Sequence, residues 1–254
     1  MISKSLAIQV LNACLATGGD YAEIYLEQTD SRSCSLENGR VESVGGNMAY
    51  GAGIRILKGI SSVFGYTSDL TKKSLLNLAN TLAASYSGSR VIEVTSIQKQ
   101  KVKMIHKVAS PLNEVPTEEI VSLLKECHQI TSSVSPQLVR IIDSFSSYYK
   151  NIEIFTADGP IGKQFNNNEQ RGRLGMSAIA VGDNNQMESA FEGPGKYDGW
   201  DYFKEKLDYK AKAREVGEKA MMLLTAAECP SGRFPVVITN GWGGVLFHEA
   251  CGHS

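Results

Sequence analysis

The chain has 254 residues, 42% of them apolar and 21% charged, enough to bury a core in one large domain or in two to three small ones. Its 26 basic and 27 acidic side chains nearly cancel. The charge balance therefore gives no reason to expect nucleic acid or an anionic membrane as partner, and no apolar run approaches the ~18–20 residues that cross a bilayer. Five widely spaced cysteines, odd in number and without a C-x-x-C pair, read as reduced thiols of a cytoplasmic protein.

In chain order, Ser3 caps a first amphipathic helix with Leu6, Val10 and Ala13 on one face, while Gln9 and Asn12 interrupt any uniform secretory core. Gly18-Gly19 ends it. Short strand-like runs follow at 21–28, 31–36, 41–44, 52–57 and 61–66, with Asn38-Gly39 supplying a hairpin turn that needs two successive positive φ angles. Asp69 or Thr71 caps a second helix reaching about residue 85, in which Leu75, Leu78, Ala79 and Leu82 keep helical spacing. Two or three strands lead to residue 107, and the segment 109–116, with Pro111 and Pro116, marks a boundary. Thr117 caps a third helix running to about residue 132, with Glu118 and Glu119 in its first turn and Ile120, Leu123, Leu124 and Cys127 facing inward.

Strands return over 137–192, and a long helix covers 208–228. Pro230-Ser231-Gly232 is a second boundary, followed by a strand at 234–239, a loop at 241–244 and a helix from Val245. Strand blocks alternating with isolated helices define an α+β protein with antiparallel or mixed sheets and packed helices, not a doubly wound parallel sheet. The expected domains are 1–110, 111–229 and 230–254.

Chemistry concentrates at one place. Of four histidines, two flank a glutamate in His248-Glu249-Ala250-Cys251-Gly252-His253. Imidazole is a common zinc ligand, and an adjacent carboxylate can take a proton from a metal-activated water. A spacing of five turns the second ring about 140° away on a regular helix. One π-type widening restores the alignment, and Gly252 lowers its cost, so the motif predicts a bulged helix as well as a metal.

The other candidates read more plainly. Cys251 is expected to pack as a small thiol, and His106 and His128 to be partly exposed residues of a helix or strand. Gly241-Trp242-Gly243-Gly244 lacks the Gly-Lys-Ser/Thr of a nucleotide loop and reads as a tight strand-to-helix turn. Arg171-Gly172-Arg173 reads as a solvated turn, and Tyr197, Trp200, Tyr202 and Phe203 as an aromatic loop cluster packed at a domain or subunit interface.

The block Gly243-Gly244-Val245-Leu246-Phe247-His248-Glu249-Ala250-Cys251-Gly252-His253 resembles the TldD branch of the TldD/PmbA metallopeptidases, together with Pro230-Ser231-Gly232 and Pro235-Val236-Val237 before it. Upstream, Asp20-Tyr21-Ala22-Glu23-Ile24-Tyr25, Gly51-Ala52-Gly53-Ile54-Arg55 and Gly65-Tyr66-Thr67-Ser68-Asp69-Leu70 resemble that family's opening region. The resemblance implies a cytoplasmic zinc peptidase acting on small or unfolded peptides, as a homo-oligomer or beside a PmbA/TldE-type subunit. It implies His248 and His253 as zinc ligands, Glu249 as general base and a third ligand, a cysteine, far downstream. Residues 230–254 are then the truncated start of a C-terminal catalytic domain, and the chain alone is expected to bind zinc weakly and cleave nothing. The rival reading is a non-catalytic assembly fragment or subunit of a heteromeric complex. A role in DNA topology finds no support in the neutral charge balance.

Overall fold

The computed structural model describes residues 2–103, 110–238, 241 and 243–253. The chain forms two compact units, Met1–Leu224 and Thr225–Ser254.

The first unit is α+β. Its strands are β1 (Tyr21–Glu37), β2 (Arg40–Lys58), β3 (Ser61–Thr67), β4 (Ser96–Lys99), β5 (Leu138–Ala157), β6 (Ile161–Val181), β7 (Met187–Glu192) and β8 (Gly195–Lys196). The sheet order is β3-β2-β1-β5-β6-β4, with β7 and β8 also on β6. Every pairing is antiparallel except β4 with β6, which is parallel. The helices are α1 (Lys4–Cys14), α2 (Lys72–Ala83), α3 (Thr117–Ser132) and α4 (Tyr209–Leu224). α1 packs on α2 and α3 on α4.

Alternation on β1 explains the layering. Ala22, Ile24 and Leu26 are buried with α1 and α2, and Cys34 and Leu36 are buried with α3. All five are even-numbered, so both helix pairs cover one face of the sheet and the other face is open. Between the two cores the same strand carries Gln28, Asp30 and Arg32, none fully buried. These polar residues mark a seam between the helix layers rather than strand ends. The expected breaks at 29–30 and 45–51 are therefore replaced by unbroken strands of 17 and 19 residues. β1 has a hydrogen-bonding neighbour on each side along its whole length, which keeps the backbone extended where the side-chain pattern lapses.

Local signals hold at most element ends. Ser3 accepts a hydrogen bond from the Leu6 amide at 3.2 Å, although the buried stripe of α1 is Ala7, Val10, Leu11 and Cys14, one position round from the expected face. Asn38 and Gly39 have φ of 49° and 74°, as a two-residue hairpin turn requires. A side chain at Gly39 would also strike the His128 ring, 2.8 Å from its Cβ position. Thr71 caps α2 by accepting from the Ser74 amide at 3.3 Å, and Asp69 accepts from the Thr71 amide at 2.9 Å. Thr71→Ala should cost about 1 kcal/mol of stability, measured by urea unfolding, because the Ser74 amide loses its acceptor.

Five expectations shift. α3 is preceded by Pro116 as cap, so Thr117 is its first residue. α4 ends at Leu224 rather than near 228, while Asp208 caps it by accepting from the Ala211 amide at 3.0 Å. One strand, β4, stands where two or three were expected before residue 107, among the described residues. Arg171-Gly172-Arg173 lies inside β6, paired with Ser146, Ser147 and Tyr148, and not in a turn. Trp200 and Phe203 of the aromatic segment are core, packed edge-on or tilted against Phe145 or each other, while Tyr197 is exposed.

In the second unit, residues 234–238 form no strand. They are exposed and have no neighbouring strand among the described residues, so an apolar run alone does not create one. α5 (Gly243–Phe247) begins two residues before the expected start at Val245.

Candidate metal centre

α5 runs directly into a π-helical turn, His248–Gly252. The widening demanded by the five-residue spacing is thus present at the motif itself. It brings the two rings together: His248 Nε2 and His253 Nε2 are 3.0 Å apart, with ring centroids at 4.5 Å and planes at 80°. Gly252 sits beside the His248 ring, where a Cβ would lie 3.4 Å from Nδ1.

Ligand atoms of His248, Glu249 and His253 all lie within 4.8 Å of one another. Two imidazole nitrogens each ~2.05 Å from one ion at a tetrahedral angle stand about 3.3 Å apart, so the observed 3.0 Å separation fits a shared metal. The pair shares one hydrogen bond, which requires a proton on one of the two facing nitrogens. An ion bound by both lone pairs needs that proton on Nδ1 instead, which is a change of tautomer. All three side chains are exposed, which leaves the site reachable by solutes.

Cys251, expected to pack, is exposed and stands outside this cluster. His128 lies on α3, partly buried, with Nδ1 3.8 Å from the buried Asp143 carboxylate of β5. His106 falls outside the described residues. Of the expected glycine-rich turn, Gly241 has φ of 88° and its carbonyl accepts from the Gly244 amide at 3.0 Å, while Gly243 and Gly244 already belong to α5.

One feature escaped sequence reasoning. On the open face of the first unit, a cavity of about 700 Å³ is lined by Glu23, Tyr25, Tyr50, Arg55, Phe64 and Tyr66 among others. Its signal was the every-second-residue recurrence of Tyr21, Glu23, Tyr25 and Glu27, which places all four on the face away from α1 and α2.

Residues 22–85 match the model described as PmbA/TldA metallopeptidase domain 1, and residues 110–224 that of the PmbA/TldA metallopeptidase central domain. The chain belongs to the PmbA/TldD family of metallopeptidases. Its curated relatives stand on the TldD side. A protein named Metalloprotease TldD homolog from Buchnera aphidicola (subsp. Schizaphis graminum) is 25% identical over 243 residues, covering 92% of this chain and 49% of that protein. One of the same name from Haemophilus influenzae is 27% identical with the same coverage, and a Metalloprotease from Methanothermobacter thermautotrophicus is 28% identical, covering 92% of this chain and 50% of its own.

The chain thus spans about half the length of the curated relatives it matches. Among solved structures, a Thermotoga maritima protein described as a candidate modulator of DNA gyrase superposes with a TM-score of 0.63 at 17% identity, covering 84% of this chain and 46% of its own. TldE from Thermococcus kodakarensis superposes with 0.53 at 10% identity, covering 80% and 44%. These two similarities bear on the fold alone. No described helix is long and apolar enough to cross a membrane.

Proposed function

We propose that this chain supplies two metal ligands and the general base of a zinc peptidase acting on small or unfolded peptides in the cytoplasm. The observation that carries the reading is the π-helical turn that sets His248 Nε2 and His253 Nε2 3.0 Å apart beside Glu249. His248 and His253 hold the ion through Nε2, and zinc suits two imidazoles better than magnesium or calcium, which favour oxygen donors. Bound zinc supplies Lewis acidity and lowers the pKa of a coordinated water. Glu249, adjacent in sequence and within 4.8 Å of both rings, takes the proton of the attacking water and returns it to the departing amine.

A third ligand from a cysteine beyond residue 254 completes the site in this reading, which is supported by relatives of twice the length. Separate family models over residues 22–85 and 110–224 support a division into domains at 1–110 and 111–229, and 230–254 would open a C-terminal catalytic domain. A PmbA/TldE-type subunit is the proposed partner, in keeping with the shared fold of TldE.

Glu249→Gln in a protein of the relatives' full length is expected to keep its zinc, read by elemental analysis, while peptide hydrolysis falls about 100-fold or more. Hydrolysis at the parent rate would remove Glu249 from the role of base. Loss of zinc in the same variant would make it a ligand instead.

A further inference from the structure

A second site lies on the open face of the sheet. β1, β5 and β6 there gather Ser31, Ser146, Tyr148, Arg171 and Arg173 around a cavity of about 260 Å³. The register sets Ser31, Tyr148 and Arg171 in one row across three strands, and Ser33, Ser146 and Arg173 in the next row on the same face.

The two arginines are two residues apart on one strand, so their like charges are neighbours. Each is held rather than splayed. The Arg171 guanidinium lies 5.7 Å from the Tyr197 ring centroid and that of Arg173 lies 5.5 Å from the Phe191 ring. Tyr148 buttresses Tyr197 by donating its hydroxyl proton to the Tyr197 oxygen at 3.1 Å. Stacking occupies the guanidinium face and leaves the N–H edge available.

Among the described residues the pair also lacks a counter-ion, which some other arginines of the chain have. Arg32, Arg55 and Arg140 each stand within ion-pair distance of a carboxylate. Arg171 and Arg173 have no such partner among the described residues. Glu169, two residues before Arg171, accepts instead from Asn167 at 3.0 Å, and nearby Lys196 is matched to Asp198 at 3.7 Å. Two ring-braced guanidinium edges and several hydroxyls thus converge on a small concavity without an anion of the protein's own.

We propose that Arg171 and Arg173, with Ser31, Ser146 and Tyr148, form a binding site for one oxyanion, a carboxylate or phosphate group. The anion accepts from both guanidinium edges and from the serine hydroxyls, Tyr148 lines the cavity and braces Tyr197, and the anion's charge relieves the repulsion between the arginines. The site is independent of the histidine pair and belongs to the first compact unit.

Isothermal titration of the 254-residue chain tests it, with inorganic phosphate as one probe and acetyl-trialanine as the other. The C-terminal amide of the same peptide is the control. Saturable binding of either anion, weakened about ten-fold or more in the Arg171→Gln/Arg173→Gln variant, supports the site. Binding should be unchanged in Arg214→Gln, an exposed position on α4. Phosphate alone assigns a small free anion, and the carboxylate peptide alone assigns a chain terminus. If the glutamine pair does not fold, Arg171→Lys/Arg173→Lys keeps the charge, loses the forked geometry, and is expected to weaken binding by a smaller factor. No saturable heat with either anion overturns the proposal, as does binding that the paired substitutions leave unchanged or amide binding equal to that of the acid.

Discussion

Asp143→Asn is expected to be more stable than the parent protein at pH 8 by up to about 4 kcal/mol, and equal to it near pH 4. Asp143 is fully buried on β5, and neither carboxylate oxygen has a hydrogen-bond partner in the structure. Its nearest basic neighbour is His128 Nδ1 of α3, at 3.8 Å and also without a hydrogen bond. The adjacent Cys127 thiol, pushed up to about 12 by burial and by the charge of Asp143, supplies no compensating charge.

Burial raises the Asp143 carboxyl from 3.8 to about 7 and holds His128 below its ordinary value. A folded-state value above the unfolded one means that the native protein binds the proton more tightly. The cost of Asp143 is therefore absent below about pH 4, grows as pH rises toward 7 and is complete above it. At ~1.36 kcal/mol per pH unit, a rise from 3.8 to about 7 corresponds to about 4 kcal/mol. Urea unfolding of both proteins from pH 4 to 8 reads the difference directly. A difference that stays flat over this range would mean that the carboxylate is ionised throughout and paired with a protonated His128.

Phe145→Ala is expected to cost about 4 kcal/mol and to lower the melting temperature by roughly 10 °C. Phe145 is 1% exposed on β5 and packs edge-to-face on Trp200 at 5.3 Å and on Phe203 at 5.1 Å. Truncation removes the ring from the second core and leaves a cavity between β5 and the segment after β8, where only the two remaining rings could move in. Val91→Ala, at a position 82% exposed, should change stability by no more than about 0.5 kcal/mol. Thermal scans of the two variants compare them. Equal losses would mean that the aromatic segment does not hold the α3–α4 side of the sheet together.

The turn of the histidine motif was the most legible part of the molecule. Its residue types suggest metal chemistry, and its spacing of five, incompatible with a regular helix, required the π turn found at His248–Gly252. The anion site was not legible. Arg171 and Arg173 look like a solvated turn in isolation, and only the pairing of β6 with β5 and of β5 with β1 sets them beside Tyr148 and Ser31. The buried Asp143 had a local signal, since Ile141 and Phe145 two positions to either side share its face of β5, but its placement beside His128 of α3 had none.

What the sequence by itself determined is local: the caps at Ser3 and Thr71, the Asn38-Gly39 turn, the amphipathic stretches that became α1 to α4, and the histidine turn. Each depends on interactions among residues a few positions apart, so the order of side chains is enough to specify it. The tertiary structure decided where strands end and which of their residues meet. β1 runs unbroken across the seam between two cores because β2 and β5 satisfy its backbone on both sides, whereas the apolar run at 234–238, lacking such neighbours, stays irregular. The β5 side of that pairing comes from a chain segment more than a hundred residues away, and a one-dimensional pattern holds no record of it.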